Sequence, residues 1–157
     1  MKTLKLKLAL TLLALIPVIA FAQEKETRKL SSFSKVHSSG MFDVELIKGS
    51  EESVKIAAEN FKLDKIITEV EGGVLKIYKD KFYKPGWNAK VKILVTYKNI
   101  ESLRNSGSGD MLCKSDIVAD ETEFESSGSG NLVVEGIIKS NNIEVSNSGS
   151  GNIGFPR

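Results

Sequence analysis

The chain has only one cysteine, Cys113, among its 157 residues, and this excludes an internal disulfide framework. Proline is also rare, with three residues, and apolar residues seldom recur at helical spacing. Strict alternation of apolar and polar residues is common instead, which is typical of half-buried strands. The stability of the predicted all-β fold must therefore come from its core and its backbone hydrogen bonds.

Histidine and cysteine are too few for the usual catalytic sites. His37 is the only histidine, and although Asp43 is near it in sequence, Asp43 falls on a predicted strand. No Gly-x-Ser-x-Gly elbow precedes a helix. Cys113 takes a position that is apolar in the neighbouring repeats, which is typical of a buried structural cysteine. We therefore predict that the protein is not an enzyme and has no catalytic residue and no cofactor.

The first 22 residues have the three parts of a signal peptide. Three lysines precede an apolar stretch at 8–21, and Ala20-Phe21-Ala22 has the small-x-small form of a cleavage site. The apolar stretch contains Pro17 and is shorter than the roughly 20 residues of a spanning helix. We predict cleavage after Ala22 and export to the periplasm or outer surface of a Gram-negative-type cell, with no membrane-spanning segment in the mature chain.

The basic charge of the chain belongs to this leader. Loss of its three lysines changes the formal net charge from +2 to −1. Lysines remain dense at 76–98, where they alternate with Tyr78, Phe82, Tyr83 and Trp87, a pattern found on nucleic-acid and anionic-glycan surfaces. Solvent-facing lysines on alternating strands explain the pattern better in an exported protein, so we predict no nucleic-acid partner.

Short strands account for the first half of the mature chain. Residues 41–47 form a predicted strand, and 53–57 form its expected partner. Asn60 is a candidate N-cap for one helical turn at 60–65. Further predicted elements are a hairpin of 66–71 and 74–78 around Gly72-Gly73, a loop at 79–89 and a strand at 90–97.

The second half contains a strict repeat of 21 residues. Ser-Gly-Ser-Gly occurs three times with this spacing, each time followed by Asp or Asn, and the apolar positions recur in phase. We divide it into repeats at 103–123, 124–144 and an incomplete 145–157. The matched positions are Leu103, Phe124 and Val145; Met111, Leu132 and Ile153; and Cys113, Val134 and Phe155.

The repeat predicts a tube of stacked coils. Residues 23–157 are expected to form one domain, a single-stranded right-handed parallel β-helix (a β-solenoid) with about 21 residues per coil, preceded by hairpin-rich N-terminal strands. The glycines are expected to supply positive φ or a close approach between coils, and the Asp or Asn that follows tolerates such corners. The predicted turn residues are Gly107, Gly109, Asp110, Gly128, Gly130, Asn131, Gly149, Gly151 and Asn152.

Two kinds of site that occur on such folds are disfavoured. Calcium prefers several carboxylate ligands, but of the three repeated corner residues only Asp110 is charged, so we predict no metal site. Polysaccharide-active β-helix enzymes need clustered acidic and basic groups. The second coil is acidic on its exterior, but most of its acidic residues have neutral counterparts in the third, which favours a solvated face; the acidic residues are Asp116, Asp120, Glu121, Glu123 and Glu125.

These motifs together resemble a known family. Ser39-Gly40-Met41-Phe42-Asp43-Val44-Glu45-Leu46 looks like its N-terminal strand, and the Leu103-x-x-Ser-Gly-Ser-Gly-Asp-Met pattern looks like its repeat. The family is the auto-transporter adhesin, head GIN domain family, a domain of unknown function in exported proteins of Bacteroidetes-type bacteria. The resemblance covers about 30–157 and implies a β-helix-like fold with no assigned enzymatic activity.

The functional expectation is an exported, non-catalytic cell-envelope protein, an adhesin or surface-binding module. The ligand is unknown; a surface glycan or an envelope protein are the candidates, and a second copy could cover the open C-terminal coil to give a homodimer. The alternatives are a polysaccharide-active β-helix enzyme and a periplasmic structural protein without a dedicated ligand.

Overall fold

The computed structural model describes residues 23–156, so the predicted signal peptide and its cleavage site lie outside the described residues. No helix in this described part is long and apolar enough to cross a membrane. Its elements are β1 (Glu24–Lys29), β2 (Lys35–Ser39), β3 (Asp43–Lys48), β4 (Ser53–Glu59), a 3₁₀ turn (Leu63–Lys65), β5 (Ile66–Glu71), β6 (Val74–Lys79), β7 (Lys90–Tyr97), β8 (Ser102–Asn105), β9 (Met111–Cys113), β10 (Ile117–Val118), β11 (Glu121–Ser126), β12 (Leu132–Val134), β13 (Ile138–Lys139), β14 (Asn142–Asn147) and β15 (Ile153–Gly154).

The strands form two large sheets and one small one. The seven-stranded sheet has the order β1-β4-β7-β3-β9-β12-β15, and the six-stranded sheet has the order β14-β11-β8-β2-β6-β5. β10 and β13 make a separate parallel pair. Alternate residues of both large sheets point into one shared core, in which side chains such as Leu46, Leu75, Val95 and Leu103 have no exposed surface.

The predicted single-stranded parallel β-helix is wrong, because both large sheets are mixed. β4 pairs antiparallel with β1 and with β7, and β5 pairs antiparallel with β6. The N-terminal strands do not precede a tube as separate hairpins. They are central members of the same sheets, since β3 lies between β7 and β9, and β2 lies between β6 and β8. The N-terminal half thus combines these antiparallel pairs with the parallel pairs of β2 with β6 and β3 with β7.

Local predictions for the N-terminal half had mixed outcomes. The hairpin around Gly72-Gly73 is confirmed, with φ of 57° and 76° at the two glycines. The pairing of 41–47 with 53–57 is wrong, because β7 lies between β3 and β4 and hydrogen-bonds to both. The helical turn is present but begins later, and Asn60 does not cap it; Asn60 instead has φ of 54°.

Residues 21 positions apart are register partners in parallel strands. Met111 pairs with Leu132 and Leu132 with Ile153 in the seven-stranded sheet. In the six-stranded sheet the same spacing pairs Leu103 with Phe124 and Phe124 with Val145. The 21-residue spacing therefore describes how the C-terminal strands of the mixed sheets align.

Close backbone contact explains the glycines where the Ser-Gly-Ser-Gly segments stack. A Cβ on Gly128 would lie 1.9 Å from the carbonyl oxygen of Gly107, and one on Gly149 would lie 2.0 Å from that of Gly128. A Cβ on Gly130 would lie 2.0 Å from the carbonyl oxygen of Gly109. None of these glycines has φ in the left-handed region, so close approach rather than positive φ excludes a side chain.

The stacked corner glycines form a column, which we call the glycine column, and it begins one layer earlier than the 21-residue repeat predicts. A Cβ on Gly107 would lie 2.0 Å from the carbonyl oxygen of Gly40, and one on Gly109 would lie 2.1 Å from that of Phe42. Ser39-Gly40-Met41-Phe42 thus lies where another Ser-Gly-Ser-Gly would be. The sequence pattern hides this layer because Met41 and Phe42 replace the second Ser-Gly pair.

A ladder of side-chain oxygens runs beside the glycine column. Asp43 Oδ1 accepts a hydrogen bond from the backbone N–H of Asp110 at 3.2 Å, and Asp110 Oδ1 accepts one from Asn131 at 2.7 Å. Asn131 Oδ1 accepts the next from the N–H of Asn152 at 3.0 Å. Each Asp or Asn therefore fixes the backbone of the layer that follows it.

An asparagine side chain braces two of the three Ser-Gly-Ser-Gly corners. Asn105 is 1% exposed, its Nδ2 donates to the carbonyl oxygen of Gly109 at 2.9 Å, and its Oδ1 accepts from the N–H of Gly107 at 3.2 Å. Asn147 makes the equivalent contacts in its own layer. Ser126 takes this position in the middle layer, and its buried hydroxyl has no hydrogen-bond partner among residues 23–156.

The last layer leaves apolar side chains uncovered. Ile143 and Val145 of β14 are 47% and 49% exposed, although they continue the positions of Thr122 and Phe124, which are buried. The hypothesis that a second copy covers this end stays a prediction.

The glycine column yields a stability prediction. Gly128→Ala forces a Cβ into the backbone atoms of Gly107 and Ser106. Backbone atoms cannot move aside as the end of a flexible side chain can. We expect a loss of about 3 kcal/mol or more in the free energy of unfolding, measured by urea denaturation.

Gly154→Ala is the matched control, since its Cβ would meet only Val133 methyl groups at 3.7 and 3.8 Å. Equal stability of the two variants would contradict the proposed role of the column.

Candidate functional site

An apolar groove of about 500 Å³ lies on the outward face of the seven-stranded sheet. Its floor and walls come from β1, β4, β7, β3 and β9, together with Asp110 at the end of a glycine corner. The groove therefore crosses the part of the sheet where the N-terminal strands meet the first repeated layer.

The floor of the groove is formed by leucines that break the polar pattern of the outward face. β7 places Val91, Ile93 and Val95 in the core, so Leu94 must face outward beside Lys92. Leu112 faces outward in the same way from β9. Glu45 of β3 is the register partner of both leucines, so the three side chains lie in one row across three strands.

The walls of the groove carry opposite charges on opposite sides. Lys25, Lys55 and Lys92 line it from β1, β4 and β7, and none of them forms an ion pair within residues 23–156. Asp43, Glu45 and Asp110 line the other side, where Glu45 is paired with Lys114 at 2.9 Å; Glu26 of β1 also lines the groove on the lysine side, but it is paired with Arg28 at 2.7 Å. The arrangement suits an amphipathic ligand, with apolar surface on the leucines and an anionic group beside the free ammonium groups.

This groove was not predicted from the sequence. Leu94 lies in the outward phase of β7, together with Lys90, Lys92 and Thr96. A leucine in the outward phase of a lysine-rich strand was the available signal. Leu112 carried a weaker signal, because it lies between the two inward residues Met111 and Cys113.

A second groove of about 650 Å³ is polar and lies beside the six-stranded sheet. Glu123 and Glu144 are register partners on neighbouring strands, and Ser102 Oγ donates to Glu123 Oε2 at 3.2 Å. The acidic exterior at 116–125 is therefore continued 21 residues later at this position. The other charged residues that line it are Lys35, Glu101, Asp120 and Glu121.

In the described part of the chain, His37 hydrogen-bonds to a serine and not to a carboxylate. Its Nε2 lies 2.6 Å from Ser106 Oγ, on the outward face of the six-stranded sheet, and its strand neighbours are Lys76 and Arg104. Asp43, which is close to His37 in sequence, lies in the other large sheet. Burial, followed by the positive charge of Arg104, lowers the pKa of His37, so the imidazole is neutral at pH 7.

The remaining sequence candidates divide between structural and surface positions. Cys113 is fully buried, as expected; burial raises the pKa of its thiol, which lies 3.4 Å from the Tyr97 hydroxyl. Of the predicted turn residues only Asp110 lines the apolar groove. The others form the corner stack described above.

The aromatic residues of the lysine-rich 76–98 segment do not share one surface role. Tyr78 donates to Glu69 at 2.8 Å on the outer face, Tyr83 packs edge-to-face on Phe61, and Trp87 is 89% exposed. Within residues 23–156 no group of three or more His, Cys, Asp or Glu side chains is placed to hold a metal ion.

The fold and these surfaces define an all-β protein with two outward grooves, and its family is established by sequence. Residues 32–155 match the family described as "Putative auto-transporter adhesin, head GIN domain", and the chain belongs to that family. The resemblance seen in the sequence is thereby confirmed. No curated protein matches the chain in sequence.

Several crystal structures have a similar fold. A Parabacteroides distasonis protein described as "Putative lipid binding protein" is 26% identical, with a TM-score of 0.62 over 75% of this chain and 51% of that one. A "putative adhesin" from Parabacteroides merdae is 15% identical, with a TM-score of 0.59 over 75% and 57% of the two chains. Another from P. distasonis is 15% identical, with a TM-score of 0.59 over 88% and 66%.

These comparisons support different statements. At 15% identity the two adhesin structures support the fold alone. The chain spans between about half and two thirds of the length of the three proteins, so their whole activities do not transfer to it.

The setting of His37 predicts a pH dependence of stability. Because its pKa in the folded state lies below the ordinary value of 6.5, the folded protein binds fewer protons than the unfolded chain. Acidification from about pH 7.5 to 5.5 should therefore lower the melting temperature through this residue.

The His37→Gln variant lacks this titration, so its melting temperature should fall less over the same range. A steeper fall in the variant than in the native protein would show that the sign of the pKa shift is wrong.

Proposed function

We propose that the protein is an exported, non-catalytic binding module of the cell envelope, and that the apolar groove is its ligand site. The ligand is an amphipathic molecule with an anionic group, such as a fatty acid or another single-chain anionic lipid. The observation that supports this most is the row of Leu94, Glu45 and Leu112 across the sheet, in which two half-buried outward leucines lie beside lysines that form no ion pair within residues 23–156.

Physical chemistry favours a ligand of this kind. Leu94 and Leu112 are half-buried on the outward face, and the apolar surface that they still expose leaves water when an apolar group covers it. Lys55 is the register partner of Leu94, so an ammonium group lies directly beside the apolar floor. A carboxylate or phosphate there gains a charge-assisted contact, while its chain lies over the leucines.

The family and its relatives agree with a surface role. The family description names an adhesin, which favours a protein of the periplasm or outer surface. The 26% identical relative is described as a lipid-binding protein, and that description supports lipid among the ligand classes considered for this chain. A surface glycan or an envelope protein is the competing ligand class.

Ligand binding can be tested by titration with a fluorescent fatty acid. We expect Leu112→Ser to weaken binding about tenfold or more, because one leucine side chain of apolar contact is worth about 1.5–3 kcal/mol. Lys55→Gln should weaken binding of the fatty acid but not of the corresponding uncharged alcohol, which separates the headgroup contact from the chain contact.

Ile67→Ser is the matched control, since Ile67 is a half-buried residue on the outward side of the six-stranded sheet. Saturable binding that survives Leu112→Ser unchanged would place the ligand elsewhere. Absence of any binding to the native protein would contradict the proposed ligand class.

The polar groove favours polysaccharide cleavage as a second candidate function. Neighbouring carboxylates such as Glu123 and Glu144 are the groups that glycoside hydrolysis requires. Release of new reducing ends from envelope polysaccharides, abolished by Glu123→Gln, would support this candidate. Unchanged polysaccharide chains after prolonged incubation would leave the binding module as the better account.

A further inference from the structure

The loop between β6 and β7 holds two aromatic side chains out in solvent. Phe82 is 87% exposed and Trp87 is 89% exposed, the highest values for large apolar side chains in the part of the chain that the structure describes. An isolated exposed apolar residue is ordinary, but two aromatic rings on one ten-residue loop form a surface that calls for a partner.

The loop is fixed by contacts that leave these two rings exposed to solvent, although the Lys81 ammonium lies 5.8 Å from the centroid of the Phe82 ring. Asp80 Oδ1 accepts a hydrogen bond from the N–H of Phe82 at 2.9 Å, and Lys79 Nζ donates to the carbonyl oxygen of Tyr83 at 2.6 Å. The Tyr83 ring packs edge-to-face on Phe61 with a centroid distance of 4.9 Å, and its hydroxyl accepts from the N–H of Lys62 at 3.1 Å. The aromatic surface is therefore pre-organised.

The charge around the rings is strongly positive. Residues 79–90 contain four lysines and a single acidic residue, Asp80. Asp80 is already engaged by Lys65 at 3.4 Å, whereas Lys81 and Lys84 are exposed and form no ion pair within residues 23–156. The aromatic tips are thus flanked by free cations on a protein whose mature net charge is −1 by sequence.

We propose that this loop docks the protein on an anionic lipid surface. Phe82 and Trp87 enter the headgroup region, where aromatic side chains partition favourably, while Lys81 and Lys84 remain at the level of the phosphates. The proposal rests on the loop alone and is independent of the ligand in the apolar groove.

Charge and side-chain chemistry favour a bilayer over an anionic polysaccharide. A phenylalanine such as Phe82 has no polar atom to offer a sugar hydroxyl, whereas it gains free energy by leaving water for the lipid interface. Lysines attract either partner, so they do not discriminate between the two. The polysaccharide is therefore an explicit outcome of the test.

Trp87 is the only tryptophan of the chain, so its fluorescence reports on the loop directly. The processed protein, with its N-terminus verified so that no leader contributes, is titrated with phosphatidylglycerol vesicles and with phosphatidylcholine vesicles. We expect a blue shift of the emission with phosphatidylglycerol, quenching by lipids brominated near the headgroup, and reversal at high salt. Phosphatidylcholine should produce little shift.

Variants separate the loop from the rest of the surface. Lys81→Gln with Lys84→Gln, and separately Phe82→Ser, should each weaken partitioning to phosphatidylglycerol by roughly tenfold. Lys139→Gln and Val118→Ser are the matched controls, because both residues are exposed in the β10 and β13 pair. Leu112→Ser should also leave partitioning unchanged, which distinguishes this proposal from the groove. Thermal melts verify that every variant is folded.

Three results would overturn the proposal. The first is an unchanged Trp87 emission at saturating phosphatidylglycerol. The second is equal loss of partitioning in the loop variants and in the control variants. The third is a blue shift caused by a soluble anionic polysaccharide but not by vesicles, which would assign the loop to a glycan.

Discussion

The structure depends on direct backbone contact between successive glycine corners. Gly40, Gly107, Gly128 and Gly149 lie so close together that no layer leaves space for a Cβ on the next. The same contact brings donors and acceptors together: the N–H groups of Ser108 and Gly109 donate to the Gly40 carbonyl oxygen at 2.7 and 3.3 Å. A chain without glycine at these positions could not bring its layers to hydrogen-bonding distance.

This contact fixes the register of both large sheets and so positions the groove. Each corner joins a strand of the six-stranded sheet to one of the seven-stranded sheet, as β2 is joined to β3 and β8 to β9. A slip of one residue at the corner would reverse the inward and outward residues of β9. Leu112 would then enter the core and Met111 and Cys113 would face solvent. The corner therefore determines that Leu112 lies beside Glu45 and Leu94 on the outer face.

Local signals in the sequence predicted local structure well. Gly72-Gly73 specifies its hairpin through two positive φ values, and the alternation at 90–97 specifies a strand. The pairing of β7 between β3 and β4 was out of reach, because it joins residues more than 30 positions apart and leaves no periodic trace in the sequence. The short connection at 49–52 therefore resembled a hairpin turn. It instead joins β3 to β4, which lie on opposite sides of β7 in the sheet.

The predicted β-helix failed for a related reason. The 21-residue spacing describes the parallel pairing of the C-terminal strands, but it carries no information about the antiparallel strands at the other edges of the sheets. The groove could not be predicted from the core pattern, because that pattern rests on inward residues, whereas Leu94 and Leu112 lie in the outward phase of their strands. The binding hypothesis rests on these outward apolar residues, because packing of the core does not explain their presence.

Hydrogen exchange of the corner amides tests the glycine column most directly. Ser108 and Ser129 lie outside the strands, yet their N–H groups donate to the carbonyl oxygens of Gly40 and Gly107 at 2.7 and 3.1 Å. The stacked corners predict that these amides exchange as slowly as those of β8 and β11. Exchange at the rate of the exposed 80–89 loop would contradict direct contact between the layers.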